Sequence, residues 1–164
     1  MKSKTISVLS LLLLLLSPLF AGKKIIIDLS KQRAYALENG NIVLQGRISS
    51  GKKGRETPNG TFKILQKKKM HRSNLWPKPN GGAKMPYMMR LTNGGIAMHR
   101  GYVPNKAASH GCIRLEKGFA KKMFAWARVG TIVQVDGDAE GYNKVISSGG
   151  SSEYQIVEGE ISTD

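Results

Sequence analysis

One stretch concentrates the reactive side chains of this chain. It runs Met98-His99-Arg100-Gly101 and then Ser109-His110-Gly111-Cys112-Ile113-Arg114-Leu115. Cys112 is the only cysteine, and two of the three histidines, His99 and His110, precede it in this stretch. A thiol beside imidazole is an arrangement for nucleophilic acyl transfer. A free thiol titrates near ~8.5, a neighbouring imidazolium lowers that value, and the thiolate attacks carbonyl carbon at neutral pH. Glycine at position 111 lets a carbonyl oxygen approach the backbone, so the N–H groups of Gly111 and Cys112 are candidate oxyanion donors. Arg114 is suited to hold a carboxylate through two parallel hydrogen bonds. Two blander readings compete: a buried, inert cysteine, or a metal site built from His71, His99, His110 and Cys112. The His-x-Cys spacing and the lack of a nearby carboxylate argue against the metal site.

These residues need strands to present them. If Ser109 to Leu115 is extended, His110, Cys112 and Arg114 point to one face while Ile113 and Leu115 enter the core. In the preceding strand, Ala97 and His99 share the face opposite Ile96 and Met98. Further strands are expected at Lys24–Leu29, Arg33–Leu37, Ile42–Ser49, Thr61–Leu65 and Thr131–Val135. Glu38-Asn39-Gly40-Asn41 is a hairpin signal, and Thr57-Pro58-Asn59-Gly60 is a turn. In the third of these strands Ile42, Leu44, Gly46 and Ile48 share a face by period two. One helix is expected, Glu116–Arg128, with Phe119, Ala120, Met123, Trp126 and Ala127 on its apolar stripe. Glu116 and Arg128 suit the two ends of its dipole, and Gly130 stops it. Gln66 to Lys84 shows little periodicity and reads as a long functional loop or lid, in which Lys67-Lys68-Lys69 is a solvated run and Trp76 a platform or anchor. The fold class is α+β, dominated by strands.

Composition bounds the rest. The 164 residues suffice for one domain, and 19 glycines favour a turn-rich β protein over a helical bundle. A lone cysteine excludes an internal disulfide framework. Lys2 and Lys4, the leucine run Leu11–Leu16 and Ala21-Gly22 have the pattern of a signal peptide over residues 1–21. The expected location is therefore the periplasm or the wall, with an uncleaved N-terminal anchor as the alternative. From Gly22 to Val135 there are 23 Lys and Arg against 4 Asp and Glu, a net of +19, whereas 136–164 holds one Lys and 7 acids. We therefore expect a basic domain over 22–136 and an acidic, Gly/Ser-containing flexible tail over 137–164. Export turns the basic charge away from nucleic acid and toward acidic envelope polymers; only 7% aromatic residues and no interleaved basic–aromatic platform point the same way.

The block Ser109-His110-Gly111-Cys112-Ile113-Arg114-Leu115, with His99 upstream, resembles the signature of the L,D-transpeptidase (YkuD-type) catalytic domain. Ile25–Leu29 with Gln32-Arg33, Ser50-Gly51-Lys52, Thr57-Pro58-Asn59-Gly60-Thr61-Phe62 and Met85-Pro86-Tyr87-Met88 are similar to that family's other blocks, in order, from about Lys24 to Val135. The resemblance implies a β-sandwich or barrel-like fold with one main helix after the Cys motif. It implies attack by Cys112 on the diaminopimelate–D-Ala bond of a peptidoglycan tetrapeptide stem, with transfer of the acyl group to an amine. That amine would belong to another stem, a D-amino acid or a protein lysine such as that of a lipoprotein. His99 would be the general base, and His110 and Gly111 would shape the site. Arg114, Tyr87, Ser109 and Arg100 would contact substrate. Because Arg100 separates His99 from Gly101, the third member of the triad is expected to be a backbone carbonyl near Arg100. A carboxypeptidase-type hydrolase of the same bond and a non-catalytic wall-binding module are the alternatives. Thiol, imidazole and backbone donors suffice for such chemistry, so no cofactor and no metal is expected, and the chain is read as a monomer.

Overall fold

The structure is a computed structural model that describes residues 22–74 and 81–139. The expected signal peptide, Trp76 and most of the expected acidic tail lie outside the described residues. Among the described residues nine strands and one helix follow in the order β1 Lys23–Asp28, β2 Arg33–Glu38, β3 Asn41–Ser49, β4 Gly60–Lys63, β5 Gln66–Lys68, β6 Met88–Arg90, β7 Ala97–Arg100, β8 Ile113–Leu115, α1 Lys117–Trp126 and β9 Ile132–Asp136. They form one curled mixed sheet in the order β4-β9-β1-β2-β3-β8-β7-β6-β5. The parallel pairs are β1 with β9 and β7 with β8; the others are antiparallel. This is the strand-dominated α+β fold that the sequence predicts.

Alternation builds the core. Ile25 and Ile27 of β1, Ala34 and Ala36 of β2, and Val133 and Val135 of β9 are fully buried. Across the sheet, Met89, Met98, Ile113 and Leu115 join them beneath Phe119, Ala120 and Met123 of α1. Gly46 makes this approach possible: a Cβ there would sit 2.4 Å from the Phe119 ring. The expected face of β3 holds for Leu44, Gly46 and Ile48 but not for Ile42, which is 57% exposed. The register shifts between Ala36 and Leu37, so that Ala36 pairs with Leu44 and Leu37 with Ile42. That irregularity moves Ile42 out of the pattern.

The helix is shorter than the stripe suggested, and its ends are held differently. Glu116 is the N-cap residue but makes no side-chain cap. Its carboxylate instead accepts from Arg47 Nε at 2.7 Å, across from β3. Arg128 has no role in the last turn. Lys67 takes that place: its ammonium donates to Phe124 O at 2.6 Å and to Ala127 O, and lies 4.4 Å from the centre of the Phe124 ring. Lys67 is thus no solvated lysine but a cation at the negative end of the helix.

Gln66 to Lys84 is not a structureless loop either. Among the described residues, 66–73 pair antiparallel with 83–90 as the two arms of a hairpin. Gln66, Lys67 and Lys68 pair with Arg90, Met89 and Met88, and the ladder continues through Tyr87 N–H to Lys69 O, Met85 N–H to His71 O and Ser73 N–H to Ala83 O, each 2.8–3.0 Å. Between the paired segments Tyr87 adopts φ +57°, a left-handed value at a non-glycine residue.

Candidate active site

β7 and β8 run parallel, with Met98 opposite Ile113, His99 opposite Arg114 and Arg100 opposite Leu115. Cys112 enters β8 from a tight turn: Gly111 has φ +110°, a value L side chains rarely adopt, and a Cβ there would lie 2.9 Å from Ile96. The extended backbone therefore begins only at Ile113. This corrects the expectation of a common face for His110, Cys112 and Arg114. His110 stands exposed on the turn, while Cys112 is half-buried against Met85, Met88 and Ala97.

The turn is braced from several sides. Ser109 is buried; its hydroxyl accepts from Gly111 N–H at 3.1 Å and donates to Cys112 O. Gly111 O accepts from Thr57 Oγ1 at 2.8 Å, and Thr57 Oγ1 accepts from Gly51 N–H at 2.9 Å. Ser50 O accepts from Ala108 and Ser109 N–H at 3.0 and 2.9 Å, and Lys52 N–H returns to Ser109 O at 3.0 Å. Ser50 is held in turn by Gln32, whose Nε2 donates to Ser50 Oγ at 2.7 Å and whose Oε1 accepts Ser50 N–H at 2.9 Å. Gln32 is buried and adopts φ +48°, which turns its amide inward from the β1–β2 connection. A continuous path of hydrogen bonds thus joins Gln32 to the backbone of Cys112. Sequence reading marked these blocks but gave Gln32, Ser50 and Thr57 no task; a buried glutamine beside a strand end was the available signal.

The hydroxyl of Ser109 is engaged within its own turn. Gly111 N–H is already spent on Ser109 Oγ, so it is not an open oxyanion donor in this structure.

His99 Nδ1 lies 2.9 Å from Arg100 O. A carbonyl only accepts, so Nδ1 carries the proton and Nε2 is left basic. The backbone carbonyl anticipated near Arg100 is this partner. Burial pushes the His99 pKa down; the bond to Arg100 raises it, and the charges of Arg114 and His71 lower it further. His71, from the hairpin, is within electrostatic reach of His99. Burial pushes the Cys112 thiol up, opposed by the Ala97 N–H and by Arg114. The thiol donates to Gly95 O at 3.7 Å, and His99 is not its partner. Burial thus works on both groups toward their neutral forms, against the lowering of the thiol expected from the sequence.

Arg114 sits opposite His99, and its stem lies across Gly101, where a Cβ would come within 2.9 Å of Arg114 Cγ. Its charge acts on His99, on Cys112 and on His110, whose pKa falls through burial first and then through Lys52, Arg114 and Arg55. Arg100 is exposed at the end of β7. Tyr87 is half-buried, with its ring 5.6 Å from that of Phe124. Among the described residues no three His, Cys, Asp or Glu side chains converge as metal ligands.

The L,D-transpeptidase catalytic domain (YkuD) profile matches residues 22–135, and the chain belongs to that family. Among solved structures it is similar to an L,D-transpeptidase from Stackebrandtia nassauensis, with 27% identity over 73% of this chain and 58% of that one and a TM-score of 0.66. It is also similar to the L,D-transpeptidase of Xylanimonas cellulosilytica, at 32% identity over 71% of this chain and 61% of that one, with a TM-score of 0.61. A cysteine-to-serine mutant of the Enterococcus faecium L,D-transpeptidase matches at 25% identity over 70% of this chain and 50% of that one, again with a TM-score of 0.61. The chain thus spans between half and two-thirds of the length of these proteins. No curated protein matches it.

Proposed function

We propose that this protein is an extracytoplasmic peptidoglycan L,D-transpeptidase that uses Cys112 as its nucleophile and His99 as its base. The observation that carries this is the pairing of parallel strands β7 and β8, which sets the His99–Arg114 rung beside the braced Cys112 turn. Family membership and the solved L,D-transpeptidase structures support the reaction class.

The step starts from the neutral forms that burial favours. The thiol turns from Gly95 O to His99 Nε2, which takes its proton as sulfur attacks the carbonyl carbon of the diaminopimelate–D-Ala bond. Arg100 O stabilises the imidazolium so formed through Nδ1. The developing oxyanion faces Cys112 N–H, the donor left once Gly111 N–H is committed to Ser109. Imidazolium then returns its proton to the leaving amine, D-Ala departs, and the stem remains as a thioester on Cys112. An incoming amine gives its proton to His99 and takes the acyl group, restoring the thiol. Water in place of the amine gives the hydrolase reading. Arg114 holds a stem carboxylate, Tyr87 and Arg100 line the approach, and His110 shapes the rim. Ser109 serves by fixing the turn.

Muropeptide analysis of a defined tetrapeptide dimer tests this. Loss of D-Ala with formation of 3→3 linked products by the wild type, and none by Cys112→Ala, is the expected result. Binding to sacculi by both proteins, with no D-Ala released by either, would instead mark a wall-binding module.

A further inference from the structure

The sheet has an outer face, and one end of it differs from the rest. The register sets Lys63, Ile132, Lys24, Leu37 and Ile42 side by side on β4, β9, β1, β2 and β3. Residues paired across strands share a face, so these five side chains form one rung. The next rung, Phe62, Val133, Ile25, Ala36 and Leu44, points the opposite way, into the core. The first rung therefore points outward. Ile42 belongs to it through the register shift between Ala36 and Leu37, and is 57% exposed.

Lysine and aliphatic side chains are interleaved along this rung. Neither Lys24 nor Lys63 is in an ion pair among the described residues. At the same end, the turn into β9 carries Arg128 and Val129, both exposed. Glu38 also lies at this end but on the other face, opposite Lys23, where Lys23 Nζ and Trp126 Nε1 hold it at 3.8 and 3.1 Å. The far end of the outer face is different: its rung is Asp136, Asp28, Arg33 and Arg47, with both signs present.

Lysines set among aliphatic side chains suit a boundary where anions lie against hydrocarbon. The lysine stems run along the apolar groups while the ammonium groups reach the anions. The sequence points to lipid at this same end. Lys2, Lys4 and the Leu11–Leu16 run have the pattern of a segment that enters a membrane, and residues 1–21 lead into β1 at Lys23, next to the rung.

We infer that the rung Lys63, Ile132, Lys24, Leu37 and Ile42 is a docking face for an anionic phospholipid bilayer. Seven steps along β3 separate Ile42 from Ser49, the residue opposite Arg114, about 23 Å at the usual rise per residue. Docking therefore leaves the Cys112 turn at the end remote from the lipid. None of the five residues belongs to the active site, and the inference holds whether or not Cys112 transfers an acyl group.

The test uses the full chain with Cys112→Ala and one introduced cysteine, either Val43→Cys beside the rung or Lys53→Cys in the loop after β3. Each is labelled with an environment-sensitive fluorophore, and quenching by brominated lipid is measured. Vesicles of phosphatidylglycerol with phosphatidylcholine are compared with phosphatidylcholine alone. In the anionic vesicles we expect quenching at position 43 to exceed that at position 53 by at least about threefold, and to weaken as salt is raised. Lys24→Glu/Lys63→Glu should lose this difference. Lys121→Glu/Lys122→Glu, an equal change of charge at exposed positions of α1, should keep it. Melting curves confirm that both fold, and Lys24→Gln/Lys63→Gln replaces the first should it not. A mere tether through residues 1–21 leaves position 43 equally quenched in Lys24→Glu/Lys63→Glu, and that result would overturn the proposal. So would equal quenching in the two kinds of vesicle. A change at position 43 without vesicles that grows with protein concentration would also overturn it, by assigning the face to a second copy of the chain.

Discussion

The two ends of β8 are built on opposite principles. At its start, the turn carrying Cys112 is over-determined: Ser109, Thr57, Ser50 and Gln32 fix its backbone through short, buried hydrogen bonds. At its end, a cavity of about 640 Å³ beside Lys117 is lined by Lys69, Lys84, Arg100 and Lys117 among others. Chemistry on a carbonyl needs atoms placed to within a fraction of an ångström. Mutations at the two ends should therefore fail in different ways: at the turn through rate, at the cavity through affinity.

The largest effect is expected at the thiol. Cys112→Ala should lower turnover at least about 10⁴-fold while leaving the melting temperature nearly unchanged, measured by D-Ala release and calorimetry. His99→Gln should cost on the order of 10²–10⁴-fold in kcat and flatten the acid limb of the pH profile. Because burial lowers the His99 pKa, that limb in kcat/KM lies below the usual ~6.5. The same depression means that the unfolded chain binds this proton more readily. Stability contributed by His99 is complete above ~6.5 and falls as pH drops toward the folded value. Denaturant melts between pH 7 and 5 should show a smaller loss in His99→Gln than in wild type. Alkylation of Cys112 in the free enzyme should titrate above the ordinary thiol value.

The brace comes next. Gln32→Ala should reduce kcat by roughly 10–100-fold with KM little changed, at a stability cost of about 1–3 kcal/mol for the unpaired Ser50 groups. A change in KM alone would move Gln32 from the thiol's brace to the binding surface. Gln32→Glu keeps the acceptor but loses the donor to Leu29 and Ser50, and should fall between the two. The smallest effect belongs to a residue outside both ends. Lys67→Met removes the cation from the α1 carbonyls and should cost about 1–2 kcal/mol without changing kcat.

Much of this comparison was legible in the residues. Alternation placed β1, β2, β7 and β9 within a residue or two, because one face of each meets a single core. The Gly46 and Ile48 face of β3 was visible, whereas Ile42 was misplaced by a bulge that leaves no mark in the sequence. The hairpin arms around β5 and β6 were missed because their short strands of three residues each carry too few positions for a hydrophobic period. At the site, residue types suggested Cys112, His99 and Arg114, which β7 and β8 bring close together, and His99 Nδ1 lies against Arg100 O, near which a backbone partner was expected. The electrostatics run the other way. Proximity of thiol and imidazole in sequence suggested a thiolate, but desolvation by Met85, Met88 and Ala97 outweighs it. Hydrogen-bond bookkeeping, which spent the Ser109 hydroxyl and the Gly111 N–H on the turn itself, is a property of the folded backbone alone.

The most direct test of the central claim is intact-protein mass spectrometry with peptide mapping after rapid mixing with a tetrapeptide stem. Our account predicts a single added acyl mass on Cys112, formed faster as pH rises through the acid limb and nearly absent in His99→Gln. Release of D-Ala by the wild type with Cys112 unmodified at every time point would contradict it.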